Sequence, residues 1–197
     1  CPKVYHMNEG HSAFLSLERI RLLMQNQNLD FQTASEIVSS SNVFTTHTPV
    51  PAGNDAFEPW LIEKYLSGLS DQLGISPEEF LDLGRQEANA KDEPMCLTIL
   101  AMRMARYRNG VSDLHGDVSR ELWTGVWPEV PDDEIPIDHI TNGIHTPSWI
   151  SHELSTLYDR YIGPDWSEKW TDSNTWQAAD NIPDPELWRT HERRRER

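Results

Sequence analysis

The stretch Val43-Phe44-Thr45-Thr46-His47-Thr48-Pro49-Val50-Pro51-Ala52-Gly53-Asn54-Asp55 decides the fold class. Val43 to Thr46 are β-branched or aromatic, which predicts a short buried strand. Thr48 to Asp55 can be neither helix nor central strand, because Pro49 and Pro51 remove backbone donors and Gly53 invites positive φ. A short strand running straight into such a loop, with helical patterns before and after it, is one unit of an alternating α/β chain.

Working outward toward the N-terminus, Pro2 to Met7 reads as a strand. Ser12 to Gln27 is an amphipathic helix, with Phe14, Leu15, Leu17, Ile20, Leu22 and Leu23 at helical spacing. Asp30 caps a second helix to about Val38, and Ser39 to Asn42 is a break. Toward the C-terminus, a helix runs from about Glu58 to Leu73, and Ser76-Pro77-Glu78-Glu79 is a capping box that starts another. Glu87 to Glu93 reads as a polar surface loop. Cys96 to Met102 is an apolar run read as a buried strand, ending in the loop Arg106 to Gly110. Val111 to Trp123 reads as a helix with Val111, Leu114, Val118 and Leu122 on its buried face. Pro128 to Pro136 is an acidic loop, and His139 to Ile144 passes from strand to turn. Thr146 caps a helix with Pro147 at its first position, and Asp184-Pro185 opens the last helix. No repeat or low-complexity tract interrupts the pattern. The class is α/β and helix-rich, with a mostly parallel sheet whose ligands belong at the carboxyl ends of its strands.

The 197 residues carry 17 Lys plus Arg against 32 Asp plus Glu, a formal net charge of −15. That balance argues against a nucleic-acid surface, which needs clustered cations to neutralise phosphates. The one basic cluster, Arg193-Arg194-Arg195-Glu196-Arg197, lies at the chain end. No run of about twenty apolar residues is present, so no transmembrane helix is predicted. Two cysteines, Cys1 and Cys96, make no disulfide framework and suit a reducing, cytoplasmic compartment. The opening on a strand already under way and the stop inside a helical pattern predict an internal piece of a longer polypeptide, incomplete at both ends.

Four predicted strands end in Asn8-Glu9-Gly10-His11, His47-Thr48-Pro49, Arg106 to Gly110, and Asn142-Gly143-Ile144-His145. These loops offer neutral donors and acceptors, imidazoles and one carboxylate. Such a set suits a polyhydroxylated ligand, whose hydroxyls need many short directional hydrogen bonds. Each residue also has a plainer reading. Asn-Gly is a turn dipeptide, Glu9 can cap the following helix, His47 can be an ordinary loop residue, and His6 can be packing. A metal-dependent hydrolase using His6, Glu9, His11, Asp113 and His115 is a second reading, although neither cluster has the His-Glu-x-x-His spacing. No Gly-x-Gly-x-x-Gly, phosphate-binding Lys loop or Gly-x-Ser-x-Gly elbow is present. The late tryptophans Trp149, Trp166, Trp170, Trp176 and Trp188 read as packing anchors or as a sugar-stacking surface.

Four linked motifs carry a family resemblance: Tyr5-His6-Met7-Asn8-Glu9-Gly10-His11-Ser12-Ala13-Phe14, Phe44 to Asp55, Arg108-Asn109-Gly110-Val111-Ser112-Asp113-Leu114-His115-Gly116, and Ile140 to Pro147. In this order, across nearly the whole chain, they resemble the α-glucan (glycogen/maltodextrin) phosphorylase family, in particular its bacterial branch. The resemblance implies that residues 1–197 are the later part of the N-terminal glucan-binding domain, the Rossmann-like half of a GT-B type glycosyltransferase fold. The whole enzyme would move the terminal glucosyl unit of an α-1,4-glucan to inorganic phosphate, and a homo-oligomer is compatible with it. Pyridoxal phosphate would be held by a lysine of the C-terminal domain, outside this chain, so the 197 residues alone are expected to be inactive. Lys3, Lys64, Lys91 and Lys169 show no cofactor context.

By the same resemblance, His47 and Asn142 match the residues that hydrogen-bond the 6-hydroxyl of the transferred glucosyl unit, and Val111 lines that pocket. Glu9 and His11 match the acidic residue and histidine near the acceptor glucan. No catalytic residue and no metal ligand is implied within this chain. Animal members carry Pro-Glu-Ala-Leu where this chain has Pro51-Ala52-Gly53-Asn54, so no role of that Glu carries over. A non-catalytic carbohydrate-binding module is the third reading, separated from the first by the flanking sequence.

Overall fold

The computed structural model describes residues 2–88, 90 and 92–195; Cys1, Lys91, Glu196 and Arg197, named above, lie outside the described residues. The chain divides into two compact units, Cys1–Asn142 and Gly143–Arg197.

The first unit is built on strands β1 (Tyr5–Asn8), β2 (Asn42–Thr45), β3 (Ala56–Phe57), β4 (Met95–Cys96), β5 (Tyr107–Gly110) and β6 (Asp138–His139). Its helices are α1 (Phe14–Gln27), α2 (Phe31–Ser40), α3 (Pro59–Leu73), α4 (Pro77–Asp82), α5 (Leu97–Arg103) and α6 (Asp113–Leu122). β1, β2, β5 and β6 lie side by side in that order, every pair parallel. The register sets Asn8 opposite Thr45, Thr45 opposite Asn109, and Asn109 opposite Asp138. The carboxyl ends of these strands therefore form one row, as the α/β reading expects. β3 and β4 make a separate two-residue antiparallel pair that the sequence did not announce.

Met7, Leu17, Ile20, Val38, Phe44, Leu100 and Met102 are among the fully buried core residues. The one amide at the base of β2, Asn42, is also fully buried. It stays paired there, donating to Ser16 Oγ at 3.0 Å and to the Met104 carbonyl at 2.8 Å while accepting from Arg19. The helix starts follow the sequence. The Asp30 carboxylate accepts from the Thr33 amide at 2.7 Å, and the Ser76–Glu79 capping box closes in both directions.

Several expectations are corrected. Ser39 and Ser40 complete α2, and Asn42 already belongs to β2, so the break narrows to Ser41. Cys96 to Met102 is not a strand: only Cys96 pairs, and Leu97 onward is helix α5. Leu97 to Met102 are all buried, and a helix buried all round shows no amphipathic period to distinguish it from a strand. The third strand is instead Tyr107–Gly110, so its loop begins at Val111 rather than Arg106. In α6 the expected inward residue Leu114 is 73% exposed, while His115, Gly116 and Ser119 are buried. The rotation is set by polar bonds to the sheet, Val111 N to His115 Nδ1 at 3.1 Å and Arg120 to the Ile137 carbonyl at 2.8 Å. Gly53 does not adopt positive φ; its lack of a side chain makes room for Thr48 Cγ2.

The second unit contains α7 (Thr146–Trp149), α8 (His152–Tyr161), α9 (Ser173–Gln177) and α10 (Asp184–Arg195). α7 is capped at His145 rather than Thr146, with Thr146 already inside the helix. Sequence reading placed no helix at α8 or α9, though Ser151 caps α8 by accepting from Leu154 N at 3.2 Å. Tyr158, Trp166 and Trp176 meet edge to face, centroids 5.3 to 6.1 Å apart, and Trp166 donates to Asp159 at 2.9 Å. Trp166 and Trp176 are thus packing anchors, whereas Trp149 and Trp188 are largely exposed.

Candidate functional site at the carboxyl end of the sheet

The row Asn8, Thr45, Asn109 continues into loops that are tied to one another by backbone and side-chain bonds. The Glu9 amide donates to the Thr45 carbonyl at 2.9 Å, and the Thr46 amide donates to the Asn109 carbonyl at 3.0 Å. A polar chain crosses the strands: His6 Nε2 to Thr45 Oγ1 at 2.7 Å, Thr45 Oγ1 to Asn109 Oδ1 at 3.0 Å, and Asn109 Nδ2 to the Gly110 carbonyl at 3.0 Å. The carbonyl at its end fixes the Asn109 amide. The Thr45 hydroxyl then donates to Asn109, so His6 Nε2 carries the proton that Thr45 accepts. His6 and Asn109 thereby lock the floor of the site.

The Glu9 side chain makes no capping bond to the helical turn that follows it. Its carboxylate reaches from the β1 loop to the β2 loop, accepting from the His47 amide and from the Thr48 hydroxyl at 3.2 Å. Its backbone has φ 68° and ψ 165°, a region nearly reserved for glycine. Strain of about 1–3 kcal/mol is typical there. Hydrogen bonds to a charged group contribute a comparable 1.5–3 kcal/mol or so, which is enough to hold the conformation. The adjacent Gly10 has a separate reason. A Cβ there would sit 2.8 Å from Thr98 Oγ1 and 2.9 Å from Thr98 N, so the first turn of α5 packs directly on the loop.

His47 is exposed, and its Nε2 lies 2.5 Å from Asn8 Oδ1. An amide oxygen only accepts, so Nε2 is the donor in this bond, and Nδ1 has no partner among the described residues. On the other side of the row, Val111 N donates to His115 Nδ1 at 3.1 Å and the Val111 carbonyl accepts from Asn142 N at 3.0 Å. The fold thus brings Glu9 together with His47, and Val111 together with Asn142, at one end of one sheet. His11 stands exposed in the turn Gly10–Ser12 and joins neither pair. Asn8 entered the sequence reading only as part of a strand-end loop, and His115 only as a metal candidate and within the third motif; neither was named as a sugar-site residue.

The metal reading does not survive the geometry. Among the described residues no three His, Cys, Asp or Glu side chains gather as a metal site. Glu9 turns to the β2 loop, His6 bonds Thr45, and His115 lies under Val111. Asp113 faces His139 at 3.4 Å instead.

A cavity of about 580 Å³ near the opposite end of the sheet is lined by Arg103, Arg106 and Arg108. There Arg103 donates to the Gln86 carbonyl at 3.4 Å, and Arg108 Nε to the Met102 carbonyl at 2.5 Å. Burial also pushes the guanidiniums of Arg103 and Arg108 below their ordinary value, so both act as internal braces of the chain.

None of the described lysines suits pyridoxal phosphate, because a Schiff-base lysine needs an enclosing pocket. Lys3 and Lys64 are exposed, and Lys169 is exposed and paired with Asp165.

A sequence model of the Phosphorylase family, described as carbohydrate phosphorylase, matches residues 2–190. The chain is 42% identical over 190 residues to a maltodextrin phosphorylase of Thermococcus litoralis, covering 96% of this chain and 22% of that protein. It is 39% identical over 193 residues to a glycogen phosphorylase of Mycobacterium tuberculosis, covering 95% of this chain and 22% of that protein. A glycogen phosphorylase of Aquifex aeolicus is 35% identical over 193 residues, with 98% and 27% covered. The chain therefore spans between 22% and 27% of the length of these relatives. The family match over nearly all of its length makes this chain a member of the carbohydrate phosphorylase family.

Proposed function

We propose that residues 1–197 are the later part of the N-terminal, glucan-binding domain of an α-1,4-glucan phosphorylase of the GT-B type. The full-length protein would transfer the glucosyl unit at the non-reducing end of glycogen or maltodextrin to inorganic phosphate, giving glucose 1-phosphate in the cytoplasm. The observation that carries this reading is the pairing of Glu9 with His47, and of Val111 with Asn142, at the carboxyl end of one parallel sheet. An imidazole nitrogen without a partner, amide groups and backbone bonds suit a sugar, whose hydroxyls both donate and accept.

In this reading His47 Nδ1 and the Asn142 side chain hold the 6-hydroxyl of the transferred glucosyl unit, and Val111 forms the adjoining wall. Glu9 fixes the His47 loop, and His11 stands toward the acceptor glucan. These groups contribute orientation, which lowers the barrier by holding reactants in place. Pyridoxal phosphate, bound by a lysine outside this chain, would supply acid–base chemistry through its phosphate. This chain's residues hold the sugar. A homo-oligomeric assembly is compatible with the reading.

The test is phosphate-dependent release of glucose 1-phosphate from maltodextrin by the full-length protein. Strict dependence on phosphate supports the reading. Release of free glucose without phosphate, or loss of activity on metal chelation, overturns it in favour of a hydrolase.

A further inference from the structure

His115 lies on α6, is 8% exposed, and is not among the residues proposed to contact the sugar. Its Nδ1 accepts the Val111 backbone N–H at 3.1 Å. Its own backbone N–H donates to Ser112 Oγ at 3.1 Å, which anchors it to the cap of the same helix. An imidazole that accepts at Nδ1 carries its proton at Nε2, so the tautomer is set. That Nε2 is buried and has no hydrogen-bond partner among the described residues, although buried donors of this kind are nearly always paired. The contact with the loop is close as well as polar: a Cβ on Gly110 would meet His115 Nδ1 at 2.9 Å. Val111 in turn accepts from Asn142 N at 3.0 Å, and Gly110 accepts from Ile140 N at 3.0 Å. One imidazole therefore braces the β5 loop, and the β5 loop braces the chain leading to Asn142.

We infer that His115 is a positioning residue for recognition of the 6-hydroxyl of the glucosyl unit, acting through Val111 on Asn142. This rests on the sugar-binding reading of Val111 and Asn142 proposed above. A leucine at 115 keeps the apolar volume but offers Val111 N–H no acceptor. The Val111 turn then shifts, and Asn142 shifts with it. An asparagine places its Oδ1 close to the position of Nδ1 and keeps the acceptor. A glutamine carries its amide one methylene further out, toward Nε2.

The test uses the full-length protein in the synthetic direction, extending maltodextrin from glucose 1-phosphate or from 6-deoxyglucose 1-phosphate. The readout is the ratio of kcat/KM for the two donors, which a general loss of folding does not move. For His115→Leu that ratio is expected to fall by roughly fivefold or more, whereas His115→Asn is expected to keep it within about twofold. A ratio unchanged in His115→Leu overturns the inference. If His115→Leu fails to fold, the comparison passes to His115→Asn and His115→Gln: a ratio retained by Asn and lost by Gln supports the inference, and equal ratios overturn it. Unmodified protein that extends maltodextrin from neither donor refutes the phosphorylase reading itself. Normal synthesis with an unmoved ratio refutes only the role of His115.

Discussion

Asn8 Oδ1 and His47 Nε2 are 2.5 Å apart, joining the last residue of β1 to the loop that leaves β2. The bond selects one imidazole tautomer and holds the ring, so that Nδ1 is presented as an acceptor before any ligand arrives. Asn8→Leu is expected to leave the ring free to rotate and to populate both tautomers. One hydrogen bond of this kind is worth about 1 kcal/mol, so kcat/KM for glucan in the full-length protein should fall by about five- to tenfold. Steady-state kinetics beside a thermal melt checks this. An unchanged kcat/KM in a normally folded variant would show that the ring needs no brace.

Glu9 combines a backbone conformation suited to glycine with a carboxylate that bonds two groups of the neighbouring loop. Glu9→Gly separates these effects. Strain of about 1–3 kcal/mol is relieved, while charged hydrogen bonds of about the same size are lost. The melting temperature is therefore expected to stay level or rise, and activity toward glucan to drop by about tenfold or more as the His47 loop loosens. A steep fall in melting temperature with activity per folded molecule intact would make Glu9 a structural residue only.

Gly10 packs against the first turn of α5, where a Cβ would approach both Thr98 Oγ1 and Thr98 N. Gly10→Ala is expected to destabilise by about 1–3 kcal/mol, the usual cost of overpacking. Adding Thr98→Ala should recover only part of that loss, because the backbone nitrogen at 2.9 Å remains. Denaturant midpoints of the two variants decide it; full recovery in the double variant would place the whole clash on the threonine side chain.

The sequence was most readable where chemistry is local. The Asp30 cap, the Ser76–Glu79 capping box and the strand feeding the Pro49–Pro51 loop all depend on neighbours within a few residues. It was misleading at Leu97–Met102, whose burial all round erased the helical period, and at Leu114, where polar bonds from His115 and Arg120 set the helix rotation against the hydrophobic pattern. The candidate site was readable only as residue types at predicted strand ends. The Asn8–His47, Glu9–His47 and His115–Val111 bonds were not, because two of the three join loops separated by more than thirty residues and depend on strand register. The strain at Glu9 was invisible for a related reason: a glycine follows it, and sequence reasoning assigns unusual backbone to the glycine.

His47 gives the most direct test of the sugar reading. With Nε2–H given to Asn8, His47 would accept from the 6-hydroxyl at Nδ1 rather than donate to it. His47→Ala then leaves that hydroxyl without its partner. A site built to pair a substrate hydroxyl loses about 1–3 kcal/mol when the partner is removed, or about ten- to a hundred-and-fifty-fold in kcat/KM. The loss should shrink sharply with 6-deoxyglucose 1-phosphate, because nothing is then left unpaired. A His47 that only steadies its proline-rich loop predicts the same loss with either donor. His47→Asn, which keeps an acceptor near the Nδ1 position, should recover part of the discrimination. Equal fold-losses for the two donors, in protein with an unchanged melting temperature, would remove His47 from contact with the sugar and leave it as a brace of the β2 loop.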